Sequence, residues 1–317
     1  MRKSGIYLMH LSYPPISNQE GDWLYNDPNV RDILKRSKLY FIGQREELLF
    51  EDVAHPNGPD GVWVFNLKCG AQICGPLALD FGQLDLPDSI QVELGPKCLK
   101  IRALPLHADQ EPVYWCTPDI LLYQHSHGVV HVTGLADTKP LSTFKLHYVG
   151  ISKKGDSFSR LFDGHVNRSK ILSNEGQIKT EARLTDEVML FMFHIDDISI
   201  QTDIGISDID EAFGGGVDSI EQMTMVADAE KAFANIMKTH YNRESYDSYP
   251  KSKDGLWGRG LDSYAFAINE QLIFQTNTCQ IAGGELFSEA EPDLIHVSGE
   301  LVSLISTPRR SDPPKEH

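Results

Sequence analysis

Hydrophobic positions over the first third of the chain fall in short runs that Gly and Pro cut apart. Gly61 to Leu67, Ser89 to Leu94 and Cys98 to Leu104 are such runs, with turns at Asn57-Gly58-Pro59-Asp60-Gly61 and Leu94-Gly95-Pro96-Lys97 between them. Short runs rich in β-branched and aromatic residues between turn formers predict strands. Helical spacing in this stretch shows only near Val30 to Arg36. Residues 1–118 therefore read as a mainly β domain. The end of the chain repeats the pattern, with strands expected at Ser263 to Ile268, Leu272 to Thr276 and Leu294 to Ser298, and turns at Asn269-Glu270 and Gly283-Gly284. This β-rich region, 251–317, either completes the first β unit around an inserted middle or forms an appendage, and completion is the favoured arrangement. Pro308 to His317 is polar and expected to be disordered.

The middle, residues 119–250, changes period. From Phe144 the chain is apolar into Tyr148-Val149-Gly150-Ile151, turns polar through Ser152-Lys153-Lys154-Gly155, and resumes an apolar spacing at Phe158 and Leu161. That is strand, turn, helix, with Asp156 or Ser157 as N-cap. Arg160 lies in the first turns of that helix, where a guanidinium projects back toward the strand end and can grip a phosphate in fork geometry. Farther on, Ala229, Phe233, Ile236 and Met237 form one helical stripe, with Glu230 at its margin and Thr239-His240-Tyr241-Asn242 closing the helix. A carboxylate at the edge of a buried stripe is accessible to a hard cation.

These segments resemble the GIY-YIG nucleases, which pair a Tyr-Ile/Val-Gly strand with an Arg on the following helix and a metal-binding Glu on a later one. Arg160 follows Gly150 by ten positions, His165 stands where many members read Arg-then-His, and the helix led by Glu230 runs to Tyr241-Asn242. The family's first motif is divergent: Gly128 to Val132 is the best candidate strand, it carries no tyrosine, and His131 stands in for the phenol. The resemblance implies an α+β fold, a small antiparallel sheet flanked by helices, between mainly β N- and C-terminal regions. It also implies Mg²⁺- or Mn²⁺-dependent hydrolysis of a phosphodiester. Glu230 would hold the ion, Arg160 would offset charge on the phosphate, and Tyr148 or His131 would take the proton from water. His165 would be a second phosphate contact or proton donor, with Lys153, Lys154 and Asn242 at the substrate. One carboxylate suffices for an ion that keeps its waters.

Taken singly, each residue has a plainer role: Arg160 as a solvated helix residue paired with Asp156 or Asp163, Tyr148 as a packed strand aromatic, Glu230 as a surface neighbour, His131 and His165 as satisfied histidines. Order and spacing in combination favour the site.

Composition adjusts this picture. The 317 residues, 41% hydrophobic, suffice for more than one core. A net charge of -16 is unusual for a protein that grips a polyanion. Lys139, Lys145, Lys153, Lys154, Arg160, Arg168 and Lys170 nevertheless form a basic island over the proposed site. Acids gather at Asp186-Glu187, Asp196-Asp197 and through 203–221, expected to be solvated surface or, for 203–221, a face for a basic protein partner. Five cysteines without CxxC pairs read as reduced thiols, and Cys69 and Cys74 with Cys98 or Cys116 have poor spacing for zinc. No apolar run is long enough to span a bilayer, and a cytoplasmic location is expected. Three functions survive: an endonuclease, for which a restriction or anti-invader system is a fitting setting, acting on nucleic acid with DNA ahead of RNA and cutting as a homo-oligomer if both strands are cut; a silent nucleic-acid-binding module; and a protein-interaction subunit.

Overall fold

The computed structural model describes residues 2–107, 110–202, 221–243, 246–286, 288 and 291–306. The acidic partner segment 203–221, apart from Glu221, and the polar tail from 307 onward lie outside the described residues.

The chain begins with β1 (Arg2–Leu11), β2 (Ile16–Ser17), α1 (Asn18–Leu24), α2 (Pro28–Leu34) and β3 (Leu39–Gln44). Six short strands and a helix follow: β4 (Leu48–Ala54), β5 (Val62–Cys69), β6 (Gln72–Asp80), β7 (Ile90–Leu94), β8 (Leu99–Ala103), β9 (Tyr114–Cys116) and α3 (Pro118–Ser126), with β10 (Val132–Thr133) after it. Then come β11 (Thr143–Ile151), α4 (Ser157–Phe162), α5 (Val166–Asn174), α6 (Leu184–Glu187), β12 (Val188–Thr202) and α7 (Gln222–Met237). The chain ends on β13 (Ser263–Ile268), β14 (Ile273–Gln275), β15 (Gln280–Ala282), β16 (Leu294–Ser298) and β17 (Leu301–Ile305).

The fold overturns the expected small antiparallel sheet flanked by helices. It is mostly β, with a ten-stranded mixed sheet in the order β15-β14-β11-β3-β12-β1-β13-β16-β17 and β2 on β12. Two further sheets, β10-β6-β5-β4 and β7-β8-β9, accompany it. The large sheet draws on strands from both ends and the middle of the chain. Only β1 with β13 and β11 with β14 are parallel among its pairings. The reason is visible in β3, where Leu39 to Gln44 is buried at every position. A strand covered on both faces shows no alternation.

Alternation reappears once the two faces are separated. Leu39, Phe41, Phe191, Phe193 and Val149 point to one face, where α7 lays down Val226, Ala229, Phe233 and Met237. Tyr40, Ile42, Leu190 and Met192 point to the other, against Phe158 and Leu161 of α4 and Ile171 of α5. A separate core, from Leu48 to Leu141, gathers Trp63, Phe65, Phe81 and Ile101 between the two smaller sheets and α3. Glu187 corrects the expectation of a solvated acid: it is fully buried, and its carboxylate accepts hydrogen bonds from the backbone N–H of Ile178 (2.6 Å) and Lys179 (2.9 Å). Among the described residues no helix is long and apolar enough to cross a membrane.

Candidate active site

Tyr148 lies on β11 beside Tyr40 on β3. The antiparallel register sets Tyr40 opposite Gly150 and Tyr148 opposite Ile42, so both phenols share the face covered by α4 and α5. Gly150 is what lets the rings meet there. A Cβ at that position would come within 2.5 Å of the Tyr148 ring and 2.8 Å of the Tyr40 phenol, closer than any side chain tolerates. The Tyr40 and Tyr148 ring centroids are 6.1 Å apart.

The helices that follow are placed by their caps. Asp156 accepts from Ser159 N–H at 2.7 Å and starts α4, on which Arg160 is exposed. His165 is the N-cap of α5, with its Nδ1 accepting from Arg168 N–H at 2.8 Å. That bond fixes the tautomer, because a nitrogen that accepts carries no proton and the other must. Nε2–H therefore donates to the Tyr40 hydroxyl at 2.8 Å. The Tyr40 proton is then directed away from His165, and the neighbouring Tyr148 phenol and Tyr40 bear on each other's ionisation across rings 6.1 Å apart. A directional chain results, Arg168 N–H to His165 and His165 to Tyr40, with Tyr148 beside its end.

Charges surround the end of this chain. Burial raises the Tyr148 pKa first, a hydrogen bond from Asn167 lowers it, Glu230 raises it and Arg160 lowers it. Tyr40 is raised by burial and feels the same two charges, Arg160 lowering and Glu230 raising. His165 is pushed down to about 4 by burial, then by Arg160 and Arg168, so it is neutral at ordinary pH. Tyr148, Arg160, His165 and Glu230, dispersed over 83 positions of sequence, thus act on one another in space.

Glu230 is half-buried on α7, at the margin of a stripe that covers the opposite face of the sheet. Its charge bears on both phenols, beside the part of β11 beyond the Thr143 to Lys145 stretch that pairs with β14. Asn242 clamps that part of the strand. Its amide accepts from Val149 N–H at 3.0 Å and donates to Val149 C=O at 2.8 Å, as a neighbouring strand would. Its oxygen also accepts from the Thr239 hydroxyl at 2.6 Å, so in this structure Asn242 holds the strand end in place. Lys153 and Lys154 are exposed on the loop that leaves β11.

His131 does not join them. It is exposed ahead of β10, with its N–H donating to Gln83 and its ring 5.7 Å from that of His125, against the second core. The aromatic that stands beside Tyr148 is Tyr40. Its signal was present in Leu39-Tyr40-Phe41-Ile42-Gly43, an apolar run ending in glycine like Tyr148-Val149-Gly150. Asn167 and Arg168 carried no comparable signal.

Among the described residues no three His, Cys, Asp or Glu side chains converge as a metal cage. The donor set at the phenols is one carboxylate, which fits a hard cation held by that oxygen, water and phosphate, and does not fit zinc. Set against protein-family models, curated proteins and solved structures, the chain matches none of them.

Proposed function

We propose that the protein hydrolyses phosphodiester bonds in nucleic acid at the Tyr148 cluster, with Mg²⁺ or Mn²⁺ held by Glu230. The observation that carries this reading is the Tyr40 and Tyr148 phenol pair packed beside His165 at an open sheet edge, with the charges of an exposed guanidinium, Arg160, and a half-buried carboxylate, Glu230, bearing on both phenols. The ion supplies Lewis-acid polarisation of the phosphate when bound. Arg160 binds a phosphate oxygen and offsets the charge that grows there. Tyr148 orients the attacking water and takes its proton. Tyr40, fixed by His165, donates to the Tyr148 oxygen and stabilises it as phenolate. His165 has both ring nitrogens committed and neutral, so it is a positioning residue and not the base. Since burial holds the Tyr148 phenol above its ordinary range, the base form grows with pH and cleavage rises from neutral into alkaline solution.

A nicking assay on supercoiled plasmid, with single-stranded DNA and RNA in parallel, tests the reading in Mg²⁺ and in Mn²⁺. Wild type cuts at least one substrate, and Arg160→Ala, Glu230→Gln and Tyr148→Phe each lose about a hundredfold or more in rate while keeping the wild-type melting temperature. Equal cutting by wild type and all three variants identifies a contaminant and ends the proposal. Salt-sensitive retention on DNA with no cleavage under any condition replaces it with a binding module.

A further inference from the structure

A second concavity, of about 430 Å³, opens between α1 and the β7-β8-β9 sheet. Its size is that of a small-molecule site. Trp23 stands at its mouth, 68% exposed, and Trp115 lines it from β9. Large exposed indoles are uncommon on a surface that meets only water. Trp115 is paired in register with Lys100 on β8, which sets the two residues side by side on the small sheet, the indole half-buried against the core that holds Leu99 and Ile101 and the lysine exposed.

Most charges around the cavity are answered within the chain. Arg45 grips both oxygens of Asp119 at 2.8 Å, and Lys97 lies 2.7 Å from Asp186. Two are not. Lys100 makes no ion pair with any described residue. Glu20, on α1, closes a capping box in which its Oε2 accepts from Ser17 N–H at 2.6 Å, while its Oε1 is buried without a hydrogen-bond partner. The Thr117 hydroxyl eases ionisation of this carboxylate without reaching Oε1 in hydrogen-bond geometry, and burial raises its pKa. An unsatisfied buried acceptor beside a cavity marks a missing donor.

We propose that this cavity binds a nucleoside phosphate, its heteroaromatic base against the two indoles, an exocyclic amino group donating to Glu20 Oε1, and its phosphate at Lys100. Stacking on an indole suits any base. A carboxylate acceptor selects those that carry an amino group. The site is separate from the Tyr148 cluster and stands whether or not that cluster cuts nucleic acid. It accepts the free nucleotide or the same unit at the end of a strand, which share this chemistry.

Calorimetric titration of the full chain with AMP, adenosine, purine riboside 5′-monophosphate and 5′-phosphorylated oligodeoxyadenylate tests the assignment. AMP binds with saturation. Loss of the amino group in the purine riboside, loss of the phosphate in adenosine, and the exposed-residue variants Trp23→Ala and Lys100→Ala each weaken binding about tenfold. The oligonucleotide binds more tightly than AMP if strand ends are the source and more weakly if the free nucleotide is. AMP and the purine riboside binding alike, AMP affinity unchanged in Trp23→Ala, or no saturation at millimolar AMP overturns the proposal.

Discussion

Asp228 and Glu230 stand two residues apart on α7, and both act on tyrosines, yet the two carboxylates meet opposite surroundings. Asp228 is fully buried; its Oδ2 accepts from the Tyr249 hydroxyl at 2.7 Å and its Oδ1 from Leu256 N–H at 2.9 Å. Gly255 approaches so closely that a Cβ there would fall 2.1 Å from Asp228 Oδ1. Each carboxylate oxygen is held by a group of the chain that runs from α7 to β13. Glu230, rotated to the stripe's margin, is half-buried and faces the phenols of Tyr40 and Tyr148 together with an exposed Arg160. The same chemical ingredients thus hold a loop in one place and stand beside an exposed guanidinium in the other. What separates them is burial, which is complete at Asp228 and raises its pKa, and only partial at Glu230.

Exchanging the two carboxylates for neutral residues breaks the comparison most sharply. Asp228→Ala strands the Tyr249 hydroxyl and the Leu256 N–H in the core, costing about 3 kcal/mol or more of stability. Its melting temperature falls, and cleavage by the molecules still folded is unchanged. Glu230→Gln does the reverse, with a wild-type melt and lost cleavage. If instead Glu230→Gln melts the protein and Asp228→Ala spares it, the assignment of structure to one and chemistry to the other is inverted.

How much of this contrast was legible beforehand follows from periodicity. The turn and cap at Ser152 to Asp156 and the helix with Arg160 appear as their spacing predicts, because α4 keeps an exposed face. β16 alternates for the same reason, while α7 and β13, buried nearly throughout, match their runs through length and bounding turns. Tyr40 was missed because β3 is buried on both faces, so its pattern could not say which strand neighbours Tyr148. Strand order over long separations leaves no local trace: β1 lies beside β13, more than 250 positions away, and while completion of one β unit by the C-terminal strands was the favoured arrangement, which strands would meet was not legible. Asp228 was absent from the reading because a buried carboxylate in a helical stripe looks, from spacing alone, like a solvated one.

Acid gives a smaller and separate handle on the cluster. His165 is held neutral in the fold, its pKa lowered from the ordinary 6.5 to about 4. A base whose folded pKa is depressed binds more protons when unfolded, so its contribution is complete above pH 6.5 and is lost as pH falls toward 4. His165→Asn keeps an N-cap for α5 and removes both the titration and the bond to Tyr40. Its stability at neutral pH drops by about 1 kcal/mol, and its melting temperature changes less between pH 6.5 and 4 than that of wild type. A parallel pH curve for the variant would show that His165 is charged in the fold, and the tautomer that aims Tyr40 at Tyr148 would be wrong. His147 and His194, also lowered to about 4 by burial, give the remaining slope in both proteins.

The smallest effect belongs to Lys153 and Lys154, which separate a phosphate path from a mere solvated loop. Both are exposed, on the turn between β11 and α4, adjoining Tyr148 at one end and Arg160 at the other. With a net charge of -16 the chain as a whole repels a polyanion, so contact depends on local cations, and each phosphate neutralised releases counterions. Replacing both by Ala leaves the melt unchanged and lowers the slope of log affinity against log salt by about one per lysine, uniformly across sequences. Binding then weakens at low salt and converges with wild type at high salt. An unaltered slope would mean that nucleic acid approaches Arg160 from elsewhere, and it would remove the loop from the site while leaving the phenols, Arg160 and Glu230 to be judged on cleavage alone.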